Sequence, residues 1–374
     1  MGPVLLTDCI VDNNTSGNGG YGMGVGGDGG SGGGMVLAGP STLQRCRISG
    51  NSAKPGRDGY SVGAGAGGSG GGIVLQDTCA IHSCQITGNT AAGNGGGIVL
   101  QDSCTINSCQ ITGNIAVDYG GGILVADSDA TITNSTLAEN SASAGGAIYV
   151  AGGGCTIVHG TVSSNESQSL GAGVLVSSSG HVTLANSLVS ANRTPLVMTD
   201  IAADGGVQSI VSAGYNIVWW PGPYEAVFSE EGDATGLEPG LGPLSDNGGP
   251  TMTCALLTGS MAIDRIPSDN PWLTPLDQRG YARPSGTLGD IGAFEAGALA
   301  SRPTQNTPRT APSTPEAHSI MVTRPDTRVV GAPTASTVYD MRGRLIADAA
   351  AGEHRSIPRR PVPGVYIVKA RQGR

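Results

Sequence analysis

Three things are scarce in this sequence: aromatic residues, basic residues and long apolar runs. Aromatic residues make up only 4% of the 374 residues, which is few for a surface that binds sugars or nucleic acid. No Lys or Arg occurs between Asp58 and Asn192, and residues 1–300 carry 8 basic against 24 acidic residues. Such a surface repels nucleic acid, so no nucleic-acid partner is predicted. No apolar run approaches the ~20 residues of a membrane-spanning helix, so no membrane span is predicted.

Glycine is abundant instead, and it marks a repeat. Residues 70–94 read GGGIVLQDTCAIHSCQITGNTAAGN and residues 95–119 read GGGIVLQDSCTINSCQITGNIAVDY, with 18 of 25 positions identical. Fainter copies continue in both directions, each with two apolar runs of strand length and no helical period. Short strands at a 25-residue period, with Gly and Asn at the corners, predict an all-β fold of the parallel β-helix type.

Stacked coils about 4.8 Å apart place equivalent residues above one another. One predicted inner column contains Ile73, Ile98, Ile123, Ile148 and Val174. The Asn that closes each coil is predicted to lie at a bend, where its amide bonds to the coils above and below. This predicted structural ladder consists of Asn51, Asn89, Asn114, Asn140, Asn165 and Asn192. Two Gly-rich insertions, residues 16–33 and 54–69, are predicted to be mobile loops that project from one face.

The coil motifs resemble those of a known class of surface proteins. Gly145-Gly146-Ala147-Ile148 and the recurring xxxN ending are similar to the repeats of polymorphic outer-membrane proteins. The resemblance covers roughly residues 1–215 and implies a right-handed parallel β-helix of the pectin-lyase-like kind. Cys9 and Asn14 keep the five-residue offset of Cys84 and Asn89, which predicts that the chain begins within a coil.

Cysteines recur at two positions of the repeat. Cys79 and Cys104 share one position, and the other is shared by Cys9, Cys46, Cys84 and Cys109. Ser or Gly fills the second position in later coils, so these thiols are interpreted as small inward-facing apolar groups. Disulfides between coils remain an alternative, because stacked Cα atoms lie within bridging distance. No His lies in phase with them, which argues against zinc.

The composition divides the chain into four parts. Residues 1–236 are predicted to be the β-helix and 237–295 a capping module. Residues 296–336 are a Pro/Thr/Ser-rich linker, and residues 337–374 a small β-sandwich-like module. The second part resembles the choice-of-anchor Q domain in its Asn247-Gly248-Gly249-Pro250-Thr251, Asp277-Gln278-Arg279-Gly280 and Asp290-Ile291-Gly292-Ala293-Phe294-Glu295 motifs. Its charged residues are interpreted as structural ion pairs.

The last part resembles the C-terminal sorting domain of type IX secretion. The similarity lies in Tyr339-Asp340-Met341-Arg342-Gly343-Arg344-Leu345 and in Pro363-Gly364-Val365-Tyr366-Ile367-Val368. It implies export through the secretion machinery and an extracellular or cell-surface location.

Three aspartates are the candidate metal ligands. Asp77, Asp102 and Asp127 occupy one turn of successive coils, where stacked carboxylates can hold calcium as a ladder. The alternatives are a solvated turn and, with Asp129, a glycosidase pair. His82, His159 and His181 have no Ser or Cys partner in register and are predicted to be surface residues. No catalytic residue is assigned, and no cofactor is predicted apart from this calcium.

These patterns favour a non-enzymatic protein of the cell exterior that serves as an adhesin, stalk or scaffold. Its expected partners are a surface glycan or the surface of a host or neighbouring cell. The alternative is a polysaccharide lyase or glycoside hydrolase of the pectin-lyase-like fold. A lyase needs a basic residue, and the regular coils offer none before Arg193.

Overall fold

The computed structural model describes residues 3–22, 25–59, 63–297, 336–339 and 345–349. Residues 3–235 wind into stacked coils whose short strands form four parallel sheets, A to D, in which each strand pairs with its equivalent on the next coil. Within a regular coil the chain visits sheets D, A, B and C in that order. The predicted parallel β-helix is confirmed.

Sheet A contains Val4–Thr7, Ser41–Gln44, Cys79–His82, Cys104–Asn107, Ser128–Thr133, Gly153–Val158, Gly180–Ala185 and Ile210–Ser212. Sheet B contains Ile10–Asp12, Arg47–Ser49, Gln85–Thr87, Gln110–Thr112, Thr136–Ala138, Thr161–Ser163, Leu188–Ser190, Ile217–Val218 and Ala234–Thr235. Sheet C contains Ser52–Ala53, Thr90–Ala91, Ile115–Ala116, Ser141–Ala142 and Glu166–Ser167. Sheet D contains Met35–Leu37, Ile73–Leu75, Ile98–Leu100, Ile123–Val125, Ile148–Val150, Val174–Val176 and Ile201–Ala203.

The remaining described elements are short. Antiparallel pairs join Asp58–Gly59 to Gly63–Ala64, Leu241–Ser245 to Thr253–Leu256, and Ser336–Tyr339 to Leu345–Ala349. Two 3₁₀ helices span Val207–Ser209 and Gly222–Val227. The last antiparallel pair is the part of the predicted sorting-like module that the structure describes. The predicted strand at Val365–Val368 lies outside the described residues.

The interior consists of aliphatic columns in the predicted register. Ile73 pairs with Ile98 and Ile98 with Ile123, and all three side chains are fully buried. Ile81 and Ile106 belong to a second column in sheet A. A single coil cannot bury its own inner face. The contacts between equivalent side chains of successive coils therefore make the coils fold together.

The glycine runs allow the bend into sheet D and provide space beside it. Gly95 has a φ of +63°, and a Cβ built there would lie 2.4 Å from a methyl carbon of Val99. Gly88 has the same φ, but a Cβ there would meet nothing within 4 Å. Alanine substitutions at the two positions therefore distinguish the free-energy cost of a left-handed backbone from that of overpacking.

We expect Gly95→Ala to lower the free energy of unfolding by about 3 kcal/mol and Gly88→Ala by about 1 kcal/mol, because only the first adds a steric collision. Urea unfolding of the two variants measures the difference. Equal losses of unfolding free energy in the two variants would show that the close approach to Val99 does not affect stability.

The Gly-rich insertions lie in hydrogen-bonded layers rather than projecting freely. Gly29 N donates to Ala66 O at 2.8 Å, and Gly93 N donates to Gly68 O at 2.9 Å. A Cβ on Gly67 would lie 2.0 Å from Ala92 O, so the backbones approach too closely for any side chain. The insertions thus extend the stacking of the coils.

The segment of residues 237–297, here called the flank segment, packs along the outer face of sheet B. Its contacts follow one outward row of that sheet across successive coils, with bonds from Gln85 to Pro250 O, from Met252 N to Gln110, from Thr136 to Gln278 and from Ala293 N to Thr161. In the last coils this row becomes apolar at Leu188 and Ile217, which pack against Leu256, Ala262, Ile266 and Ile291. The module therefore contacts the side of sheet B, where its polar and apolar groups complement this row. Its predicted role as a cap of the coils stays a prediction.

Candidate functional site

The three candidate calcium ligands lie at the turn between sheets D and A. Asp77 Oδ1 accepts a hydrogen bond from Thr78 N at 2.7 Å, and Asp102 Oδ1 accepts one from Ser103 N at 2.6 Å. Asp127 has a left-handed backbone with a φ of +51°. In the part of the chain that the structure describes, no three His, Cys, Asp or Glu side chains are grouped so that they could hold a metal ion. The calcium ladder gains no support from this geometry and stays a sequence-based prediction.

An open depression lies beside this turn on the outer face of sheet A. It is lined by Gln101, Asp102, Ser103, Asp127, Ser128, Asp129 and Gly153. Carboxylates of two successive coils therefore face the same solvent-filled space. This is the surface on which the sequence places its hydrolase alternative, because a glycosidase needs two carboxylates on either side of a bond.

His159 corrects the prediction that all three histidines of the coils are surface residues. Its side chain is fully buried under the flank segment, and its Nε2 lies 3.1 Å from Asn186 Nδ2 and 3.5 Å from Thr274 N. Burial, reinforced by the nearby charge of Arg283, lowers the pKa of His159 well below its usual value. The sequence could not show this, because the covering residues lie more than a hundred positions away.

The Asn side chains form a continuous chain of hydrogen bonds along the coils. In each step the backbone N and the Nδ2 of one Asn donate to Oδ1 of the Asn on the next coil. Asn89 does so to Asn114 at 3.0 and 2.9 Å. From Asn51 onward the same Nδ2 also donates to a backbone carbonyl, which for Asn89 is Ile48 O. This pattern runs through Asn14, Asn51, Asn89, Asn114, Asn140, Asn165 and Asn192.

Asp200 ends the chain of Asn side chains. Its Oδ1 accepts from Asn192 N at 3.0 Å and from Asn192 Nδ2 at 2.8 Å, and its Oδ2 accepts from Trp220 N at 2.6 Å. Asp200 is completely buried. Burial raises its pKa from the usual 3.8 to about 7, although the hydrogen bonds from Trp220 and Asn192 oppose this shift.

Asp200 should make stability depend on pH. Because its pKa is higher in the folded chain, the folded state holds an extra proton between about pH 4 and pH 7. Its contribution to the free energy of unfolding therefore falls by about 4 kcal/mol as the pH rises through this window. We expect Asp200→Asn to remove this slope, measured as the difference from the unmodified protein in urea unfolding at several pH values. Parallel pH profiles would contradict the assignment.

The cysteines use both of the alternatives left open by the sequence. Cys79 and Cys104, which pair in sheet A, form a disulfide between adjacent coils with Cα atoms 4.7 Å apart. Cys46, Cys84 and Cys109 are free and buried, and the sulfur of Cys109 accepts a hydrogen bond from Cys84 N at 3.4 Å. The hydrogen bond with Cys109, together with burial, raises the pKa of Cys84 to about 12 although the hydrogen bond with Cys46 opposes this shift, so the Cys84 thiol stays protonated.

The flank segment contains two buried ion pairs, in agreement with the structural interpretation of its charges. Arg283 Nε lies 3.0 Å from Glu295 Oε2, and both side chains are almost completely buried. Arg279 lies 2.7 Å from Asp277 and over the ring of Phe294, 3.6 Å from its centroid. Arg283 also donates to Asn134 Oδ1, so one pair connects the flank segment to the coils. This role is structural.

Among the described residues, no helix is long and apolar enough to cross a membrane. A family profile described as "Right handed beta helix region" matches residues 4–130. This match agrees with the predicted right-handed coil. No curated protein matches the chain, and no solved structure matches it.

Proposed function

We propose that this protein is a non-enzymatic scaffold of the bacterial cell exterior, in which the coils serve as a stiff stalk that presents an adhesive surface. The observation that carries this proposal is the unbroken chain of Asn hydrogen bonds from Asn14 to Asp200. Each coil is fixed to the next by several bonds that must break together, which favours a spacer over a hinged protein.

Two further features support a location outside the cell. The disulfide between Cys79 and Cys104 is of the kind that persists in oxidising compartments. The similarities to the choice-of-anchor Q domain and to the type IX sorting domain support export and attachment through the C-terminal part of the chain. The adhesive partner in this proposal is a glycan or a neighbouring cell surface.

The export part has a direct test in the natural host. Deleting residues 337–374 should leave the protein cell-associated and unsecreted, whereas the full chain reaches the surface. Normal surface display of the shortened chain would remove the sorting hypothesis and leave the stalk hypothesis intact.

The second candidate, a polysaccharide-cleaving enzyme, is favoured by the carboxylates that line the depression on sheet A. We expect the full chain to bind to glycan arrays or cell surfaces and to release no reducing ends from pectic or algal polymers. An Asp102→Asn variant is the control, because Asp102 lines the depression and lies outside the Asn chain. Turnover that this variant lacks would establish the enzyme and overturn the scaffold proposal.

A further inference from the structure

A small gap on sheet A brings together an imidazole and a carboxylate. Asp129, Gly154 and His181 occupy the same register on three successive coils. A Cβ on Gly154 would lie 2.4 Å from His181 Nε2 and 2.9 Å from Asp129 Oδ1. The two side chains therefore lean over the glycine from opposite sides and point at the same place.

The backbone does not require glycine at this position. Gly153 has a φ of +68°, whereas Gly154 lies in a strand and has no left-handed backbone. The three atoms nearest to a Cβ built there all belong to the side chains of His181 and Asp129. The lack of a side chain at Gly154 is therefore not required by the backbone conformation, and it leaves space between the side chains of Asp129 and His181.

The surroundings of the gap favour a cation. Asp127 and Asp102 line the adjacent depression, and this stretch of coils contains no Lys or Arg. Asp129 and His181 are both exposed, so an ion can reach them from solvent. Among the described residues, no ion pair joins Asp129 to His181.

We propose that this gap binds a first-row divalent transition-metal ion such as Zn²⁺, with His181 Nε2 and Asp129 Oδ1 as its protein ligands. Nitrogen and carboxylate oxygen are both usual zinc ligands at about 2.0–2.2 Å, and water completes the tetrahedron. A His ligand selects zinc over calcium, which takes oxygen ligands only. The bound ion connects the coil of Asp129 to the coil of His181 across the intervening coil of Gly154.

The test is Zn²⁺ titration of the full chain by calorimetry, with the absorption spectrum of Co²⁺ as a second readout. Replacing His181 by Ala should weaken binding at least about tenfold, because one of two protein ligands is lost. Gly154→Val should weaken it similarly while keeping both ligands, because the new side chain fills the gap. His82→Ala is the matched control, since His82 lies on the same face of sheet A in another register.

Three results would overturn the proposal. One is Zn²⁺ affinity that is unchanged in His181→Ala, and another is an equal loss in His82→Ala. The third is Ca²⁺ binding as tight as Zn²⁺ binding, which would favour the aspartate ladder instead. Far-ultraviolet circular dichroism of each variant shows that a loss of binding is not a loss of folding.

Discussion

Replacing Asn114 by Ala is expected to lower the free energy of unfolding by about 4 kcal/mol, because it breaks the Asn chain in its middle. Asn114 Oδ1 accepts from Asn89 N and Asn89 Nδ2, and its own Nδ2 donates to Asn140 Oδ1 and Ile86 O. Alanine removes this acceptor and leaves two donors of Asn89 buried without partners. An unsatisfied buried donor costs about 1–3 kcal/mol, and water cannot enter the packed column to replace the lost amide.

The measurement is urea unfolding followed by circular dichroism, together with hydrogen exchange at the amide of Asn89. Asn107→Ala is the matched control on the same coil, because Asn107 lies half-exposed on the outer face of sheet A. It should cost less than about 1 kcal/mol. Similar losses in the two variants would show that the Asn chain contributes no more than a surface amide, and the stalk proposal would lose its main support.

The sequence predicts the coils well because stacking demands the same residue type at the same height. Ile73 and Ile98 are 25 positions apart and pair directly, so the period of the sequence becomes the register of sheet D. The same reasoning locates the Asn side chains, because identical amides one coil apart are complementary to each other. A repeated residue predicts a contact wherever its structural partner is the equivalent residue of the next repeat.

Contacts outside the repeat could not be found in this way. The partner of Gln85 is Pro250 O, 165 positions away, and the residues covering His159 belong to the same distant segment. One signal was present in the sequence. The outward row of sheet B changes from polar residues to Leu188 and Ile217, which indicates that something apolar covers the last coils. Asp200 was also missed, because it ends the Asn chain only eight positions after Asn192 and outside the period.

Arg283→Met is expected to have the second large effect, a loss of about 4 kcal/mol in the free energy of unfolding. The substitution leaves the Glu295 carboxylate buried without its counter-charge, and Asn134 Oδ1 and Gly292 O lose a donor. Because Arg283 bonds to both the coils and the flank segment, the loss should loosen the segment from sheet B. Urea unfolding, with hydrogen exchange at the amide of Ala293, measures both effects.

Arg193→Met is the matched control, since Arg193 forms an exposed pair with Glu166 and an exposed pair contributes at most about 1 kcal/mol. The double variant Arg283→Met, Glu295→Met should recover part of the loss, because it removes the uncompensated charge. Recovery is incomplete because Glu295 also accepts hydrogen bonds from Ser285 N and Asp290 N. If Arg283→Met and Arg193→Met cost the same, the buried pair does not hold the segment to the coils. The polar row from Gln85 to Thr161 and the apolar contacts at Leu188 and Ile217 would then hold the segment.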